Sequence, residues 1–296
     1  MASKEVRFDF FVLKTKNAKS DIFDQHLQKE ALLANKTEVD VFGYTLRIGS
    51  IRKCRRNLSL STDKNNYLWI VAIERINLKD EAYVGKKGKT GRDIYAASPD
   101  EGPLNDTVFL YDPKTGVIII QRARGGVNQS GMVSFITNLC NIQDVELELM
   151  IDPKILDKLD KLPLVKSIEY SIAIPTKLKS LKSDDRGILG DIKLAKLLGG
   201  ESLKVVIGAD KDEYLERKST VQKVKTILKS NKSISKMKVH GYNNEDYEIL
   251  DLVNKRIEYS ETINAGRGKK VSYIHIMDTI ENAFRAKETL ITDYTK

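Results

Sequence analysis

From Val6 to Leu13 the chain alternates apolar and polar positions and is rich in aromatic and β-branched residues, which predicts a strand close to its start. Over about 19–35 the apolar spacing lengthens, and Ile22, Phe23, Leu27, Leu32 and Leu33 fall roughly on one face of an expected polar helix. Strands are expected over 44–54 and 67–76, the second reading "YLWIVAI". Residues 77–105 contain Gly85, Gly88, Gly91, Pro99, Gly102 and Pro103 and predict one long connection, of a length that compact proteins use for function or motion. A hairpin follows, with Val108-Phe109-Leu110-Tyr111 and Val117-Ile118-Ile119-Ile120 joined by the turn Asp112-Pro113-Lys114-Thr115-Gly116. After Gly125-Gly126 a helix is expected over about 129–140.

From 144 onward the rhythm changes to alternating strands and helices. "DVELELMI" reads as a strand, and Asp152-Pro153 opens a short helix with proline in its first turn. "VKSIEYSIAI" is a strand, "GILGDIKLAKLLGG" a helix stopped by Gly199-Gly200, "SLKVVIGA" a strand, "STVQKVKTILKSN" a helix and "SKMKVHGY" a strand. Strands over 247–263 and a helix near 276–291 complete the pattern. The expected class is α+β: a mixed or antiparallel sheet domain with hairpins over 1–143, then a smaller βα-alternating, split-βαβ-like domain over 144–244. The segment 245–296 either extends the second domain or returns to complete the first.

Composition narrows the function classes. No apolar run reaches the roughly 18 residues that a membrane helix needs, and the start has no hydrophobic signal core, so a cytoplasmic protein is expected. Cys54 and Cys140 offer neither a disulfide framework nor a CxxC knuckle. His26, His240 and His275 never occur in HxH or HExxH spacing. Lys and Arg number 50 against 41 Asp and Glu, a net charge of +9 that favours a polyanionic partner.

The stretch "GKKGKTGRD" at 85–93 ends a phosphate-loop pattern at Gly88-Lys89-Thr90, but Tyr83 stands where the leading glycine belongs. Pro99 and Pro103 interrupt the helix that should follow. What remains is Lys86, Lys87, Lys89 and Arg92 on a glycine-rich loop, read here as a phosphate-backbone contact rather than a nucleotide site.

The cations gather in tracts without acids. From Arg217 to Asn244 there is no Asp or Glu but eight Lys and Arg, and on the expected helix Lys218, Lys225, Lys229 and Lys232 fall within about 60°. Val221, Val224, Ile227 and Leu228 form the adjoining apolar stripe. Other tracts hold Arg52, Lys53, Arg55 and Arg56; Arg122 and Arg124; Lys177, Lys179 and Lys182; and Arg267, Lys269 and Lys270. Like charges held together on a folded surface are best compensated by a polyanion, through phosphate neutralisation and counterion release. Few aromatic residues accompany these cations in sequence, so duplex DNA is expected rather than a stacked single strand.

Catalytic signals are weak. Pro99-Asp100 and Asp112-Pro113-Lys114 mimic a nuclease metal site, but Pro113 sits inside a hairpin turn. Glu146 and Glu148 share a strand face without a third ligand, and Asp184-Asp185 lies among cations as a charged loop. No catalytic residue, metal or cofactor is expected.

Two stretches resemble the RexA-like phage-exclusion proteins, fold relatives of the recombination-associated protein RdgC: "TVFLYDPKTGVIIIQRARGGVNQSGMVSFITNL", and "ILGDIKLAKLLGGESLKVVIGADKDE" with the Lys-rich helix and "SKMKVHGY" after it. The final "IMDTIENAFRAKETL" also falls where that family ends. The resemblance implies a globular domain with a mobile second domain, a homodimer, and binding of double-stranded DNA without sequence preference. It also implies a role in excluding a competing phage, with a membrane-protein partner. Two alternatives stay open: a metal-dependent nuclease or nuclease subunit, and a basic protein-interaction subunit that binds no DNA.

Overall fold

A computed structural model of the chain describes residues 2–15, 21–56, 66–78, 83–84, 90, 93–94, 98, 101–173, 194–230, 234–243, 246–265 and 271–295. In chain order its elements are β1 (Ala2–Thr15), α1 (Ile22–Leu32), β2 (Glu38–Val41), β3 (Tyr44–Arg55), β4 (Tyr67–Ile76), β5 (Tyr83–Val84), β6 (Asp93–Ile94), β7 (Leu104–Asp112), β8 (Val117–Gln121) and α2 (Gln129–Cys140). There follow β9 (Val145–Leu149), α3 (Pro153–Lys161), β10 (Leu164–Ala173), β11 (Ser202–Gly208), α4 (Arg217–Ser230), β12 (Ile234–Asn243), β13 (Asp246–Asp251), β14 (Glu258–Ala265) and α5 (Tyr273–Thr295). The class is α+β with antiparallel sheets. Two compact units divide the chain: Met1–Glu148 with Glu258–Lys296, and Leu149–Ile257.

The first unit is built on an eight-stranded sheet in the order β14-β1-β8-β7-β4-β3-β2, with β9 also pairing β1. Helices cover both faces: α5 packs on the central strands, while α1 and α2 pack on the opposite side with β3 and β2. Successive residues Ile70 and Val71 of β4 therefore both have no exposure, although a strand sends them in opposite directions. Phe23 of α1 stacks on Phe109 at 6.1 Å and tilts against Tyr111 at 5.0 Å. Asn128 caps α2 by accepting from the Gly131 amide at 2.9 Å, and Asn141 ends it in the left-handed region at φ 50°.

Asp112, which begins the expected hairpin turn, has no exposure. Its carboxylate accepts from Arg56 Nε at 2.9 Å, from the Lys114 amide at 3.0 Å and from the Thr115 hydroxyl at 2.8 Å. Arg56 is 3.6 Å from Glu288 of α5, and its guanidinium is 5.6 Å from the Phe284 ring centre. Arg285, on the same helix, donates to the carbonyls of Arg55, at 2.5 Å, and of Arg56. One buried charge pair thus joins the turn, the end of β3 and the C-terminal helix. The look-alike of a nuclease motif around Asp112 is this structural knot.

The second unit holds a four-stranded sheet in the order β11-β10-β12-β13. Strand β10 runs antiparallel to both β11 and β12, so those two are parallel to each other and α4 connects them across β10: a split βαβ arrangement. Helix α3 starts where Asp152 accepts from the Lys154 amide at 2.9 Å ahead of Pro153. Glu216 supplies the corresponding cap for α4, accepting from the Ser219 amide at 2.6 Å. Ile155, Leu159, Val224 and Ile227 of the helices bury one sheet face through Ile168, Tyr170, Ile172, Met237, Val239 and Leu250. Residues 246–251 belong to this unit because β13 pairs with β12 through Asn243↔Asp246 to Lys238↔Asp251.

Two outcomes test this account. Replacing Arg56 with Ala leaves Asp112 buried and unpaired, and should cost about 3–5 kcal/mol in urea unfolding. Arg55→Ala, on the exposed neighbour, should stay within about 0.5 kcal/mol; equal effects would reject the knot. Phe42, 60% exposed, occupies φ 52° in the two-residue Phe42-Gly43 hairpin, where a side chain of its type is strained. Phe42→Asn should raise stability by about 1 kcal/mol in the same assay.

Candidate nucleic-acid interface

In the first unit, strand geometry divides the cation tract of β3 between the two sheet faces. Arg52 points to α5, where it donates to Asp278 at 2.7 Å and lies 3.9 Å from Glu281, and Arg56 enters the buried knot. Lys53 points the other way, its Nζ 4.0 Å from the Tyr67 ring centre and 4.7 Å from that of Trp69. Both rings donate their polar ends to the buried Asp24, Tyr67 at 2.7 Å and Trp69 at 2.6 Å. Arg122 forks onto Asp9 at 2.5 and 2.6 Å and reaches Glu258 at 2.5 Å, which pushes its pKa further up. Arg55 and Arg124 are exposed and have no carboxylate partner among the described residues.

In the second unit Lys225 holds Asp160 of α3 at 2.6 and 2.7 Å. Arg217 closes the end of α3 by donating to the carbonyls of Leu162, at 2.7 Å, and Asp160. Lys218 is exposed, and its amide donates to the Glu216 carboxylate at 3.0 Å. The apolar stripe expected on α4 faces the core, with Val224 and Ile227 at no exposure and Val221 and Leu228 packed beside them. Lys86, Lys87, Lys89, Arg92, Lys177, Lys179, Lys182, Lys232, Arg267, Lys269, Lys270 and the side chain of Lys229 lie outside the described residues. So do Asp184-Asp185 and Asp100.

The inference from acid-free sequence to acid-free surface is therefore corrected. Arg52, Arg56, Arg122 and Lys225 meet carboxylates that folding brings from distant positions, the separations ranging from Arg56–Asp112 to Arg52–Asp278. These cations join elements to one another, which is work a bound polyanion would have to compete with.

The sheet face of the second unit that carries no helix has its own chemistry. Pairing stacks it in rungs: Lys204, Ser171 and Lys236; then Val206, Glu169, Lys238 and Asp251; then Gly208, Ser167, His240 and Ile249; then Leu164, Tyr242 and Tyr247. The first two rungs are ionic. Glu169 takes Lys204 and Lys236 at 2.9 Å each, and Lys238 lies 3.5 Å from Asp251. Hydrogen bonds from Lys236 and Lys204 hold the Glu169 carboxyl at about 2.

The last rung is aromatic, with His240 of the third beside it. Tyr242 meets Tyr247 edge-on at 5.2 Å and Tyr214 at 6.1 Å, and the Tyr247 hydroxyl lies 2.7 Å from His240 Nδ1. Lys166 sets Tyr214 in place: its Nζ donates to the carbonyls of Asp210, Lys211 and Glu213, the last at 2.9 Å, and lies 5.6 Å from the Tyr214 ring centre. At the root of the row, a side chain on Gly241 would collide with the Leu164 carbonyl and with Leu162. The sequence reading missed this cluster because Tyr214, Tyr242 and Tyr247 come from a loop and two strands. Its one linear signal is the "HGY" of β12, whose residues 240 and 242 share a face.

Among the described residues no group of three His, Cys, Asp or Glu side chains could hold a metal ion. Burial pushes the thiols of Cys54 and Cys140 up to about 12, away from thiolate chemistry. Among the described residues no helix is long and apolar enough to cross a membrane.

The class these features define is a two-unit α+β protein whose second unit is a split βαβ layer with one sheet face open among the described residues. The chain belongs to the family described as "Family of unknown function (DUF6731)", which matches residues 1–294. No curated protein matches its sequence.

Acid tests the ionic rungs. The Glu169 carboxylate, depressed from an ordinary 4.5 to about 2, adds stability above its unfolded value that disappears as pH falls between these two limits. Glu169→Gln should be less stable than the wild type at neutral pH and equal to it near pH 2, read as urea midpoints across that window. A constant difference between the two would remove the assigned role of Lys204 and Lys236.

Proposed function

We propose that the protein binds nucleic acid without sequence preference and that its second unit makes the grip. The supporting observation is where the excess charge lies. Residues 149–257 contain 22 of the 50 Lys and Arg but only 16 of the 41 Asp and Glu, so 109 residues carry +6 of the net +9. Such a concentration attracts polyanions from a distance and gains from releasing their counterions. Lysine contacts phosphate as a point charge and reads no base, which makes the grip tolerant of sequence.

Duplex DNA, the partner expected from the sequence, rested on cation tracts in both units. Arg52, Arg56, Arg122 and Lys225 now have structural partners, and the weight of the proposal shifts to the second unit. The homodimer, the phage-exclusion role and the membrane-protein partner belong to this reading through the sequence resemblance alone. The proposed activity needs no cofactor and no bond-making step.

Fluorescence anisotropy on labelled single and double strands, in EDTA across a salt series, tests the reading. Log affinity should fall linearly with log salt, by about 0.7 per phosphate contact on a single strand and about 0.9 on a duplex. Weak binding that ignores salt on both probes would reject nucleic acid as the partner.

A further inference from the structure

We propose that the open sheet face of the second unit is a stacking platform for single-stranded nucleic acid, with bases on the Tyr214–Tyr242–Tyr247 row and phosphates on Lys204, Lys236 and Lys238. This rests on the nucleic-acid reading above and names its site and the form of the strand. The face is wet: Tyr214 is 46% exposed, Tyr247 52% and Ile249 49%, and no described element of the second unit covers it. Lys238 stands two rungs from Tyr242 and Lys236 three, roughly 13 and 20 Å along the strand at about 3.3 Å per residue. An extended strand of several nucleotides laid along the face can therefore touch both rings and cations. A base has a π-face whatever its identity, and stacking it on tyrosine needs no base-edge readout.

Charge decides between occupants. Three lysines against Glu169 and Asp251 leave the face positive within a positive unit. A second copy laid on this face would set the same lysines against one another. Shape decides between forms of nucleic acid. In a duplex the base faces are covered by their own neighbours, so exposed tyrosine rings have nothing to stack on; an unpaired strand offers those faces. Glu169 then acts as an internal counter-ion that a phosphate displaces from Lys204 and Lys236.

The test is anisotropy with labelled oligothymidine and oligouridine of about 20 nucleotides, long enough for a site of about 4–16, and with a duplex of equal length. Wild-type protein should prefer the single strands, and the two probes report whether DNA or RNA is favoured. The double variant Tyr242→Ala/Tyr247→Ala should lose about 10- to 100-fold in single-strand affinity, while Tyr242→Phe/Tyr247→Phe stays within about threefold. Circular dichroism and thermal melts should show both variants folded. Glu169→Gln should bind more tightly at low salt, with a slope steeper by up to about 0.7 per freed lysine.

A folded alanine variant that binds as the wild type does would overturn the platform and leave the wider reading standing, as would a clear preference for duplex. Loss of self-association rather than of strand binding in that variant, seen by sedimentation, would assign the face to a second copy and overturn the proposal. Failure of every probe to bind would remove the wider reading together with the platform.

Discussion

Every strand sends alternate side chains to opposite faces, and the two units use that geometry to opposite ends. In the first unit helices cover both faces of the central strands, so what those strands carry beneath the helices is apolar or neutralised, while strand ends such as Arg55 stay wet. In the second unit α3 and α4 cover one face, and no helix is placed on the other among the described residues. There the same alternation separates a core layer from a wet layer along every strand: Met237 and Val239 point inward on β12 while Lys236, Lys238 and His240 point out.

Covering both faces explains why so much charge in the first unit is paired. A guanidinium near low-dielectric surroundings is tolerated only beside a carboxylate and further acceptors. Arg56 and Asp112 show the strongest case, since the two side chains are 7% and 0% exposed. Asp112 fills its remaining acceptor positions with the Lys114 amide and the Thr115 hydroxyl of its own turn. The pair adds direction to hydrophobic burial: it seats the turn, the end of β3 and α5 in one register. Arg122 does similar work at the edge of the sheet, bridging β1 and β14 through Asp9 and Glu258.

On the open face, the charges face water and their pairing is weaker per contact. The side chains of Lys204 and Lys236 keep 62% and 38% of their exposure while sharing Glu169. Such pairs can be exchanged for an external anion at small cost, unlike the buried knot. The two units thus handle cations in physically different ways, buried in the first and exchangeable with solvent anions in the second.

Local order determined much of the fold. The period-two runs of β1, β4, β7 and β8, the Asp112–Gly116 turn, the Asp152-Pro153 helix start and the apolar stripe of α4 were legible because each depends on neighbours in the chain. The alternation of strands and helices after 144 even announced the split βαβ arrangement. Ion partners were not legible, because Arg52 meets Asp278 and Arg56 meets Asp112 only once strands and helices are laid side by side. The aromatic row was hidden for the same reason: Tyr214, Tyr242 and Tyr247 approach one another through strand pairing and a lysine-pinned loop. Sequence periodicity sets which residues share a face within one element. Which elements adjoin, and so which charges cancel and which rings gather, is settled by long-range pairing that only the tertiary structure contains.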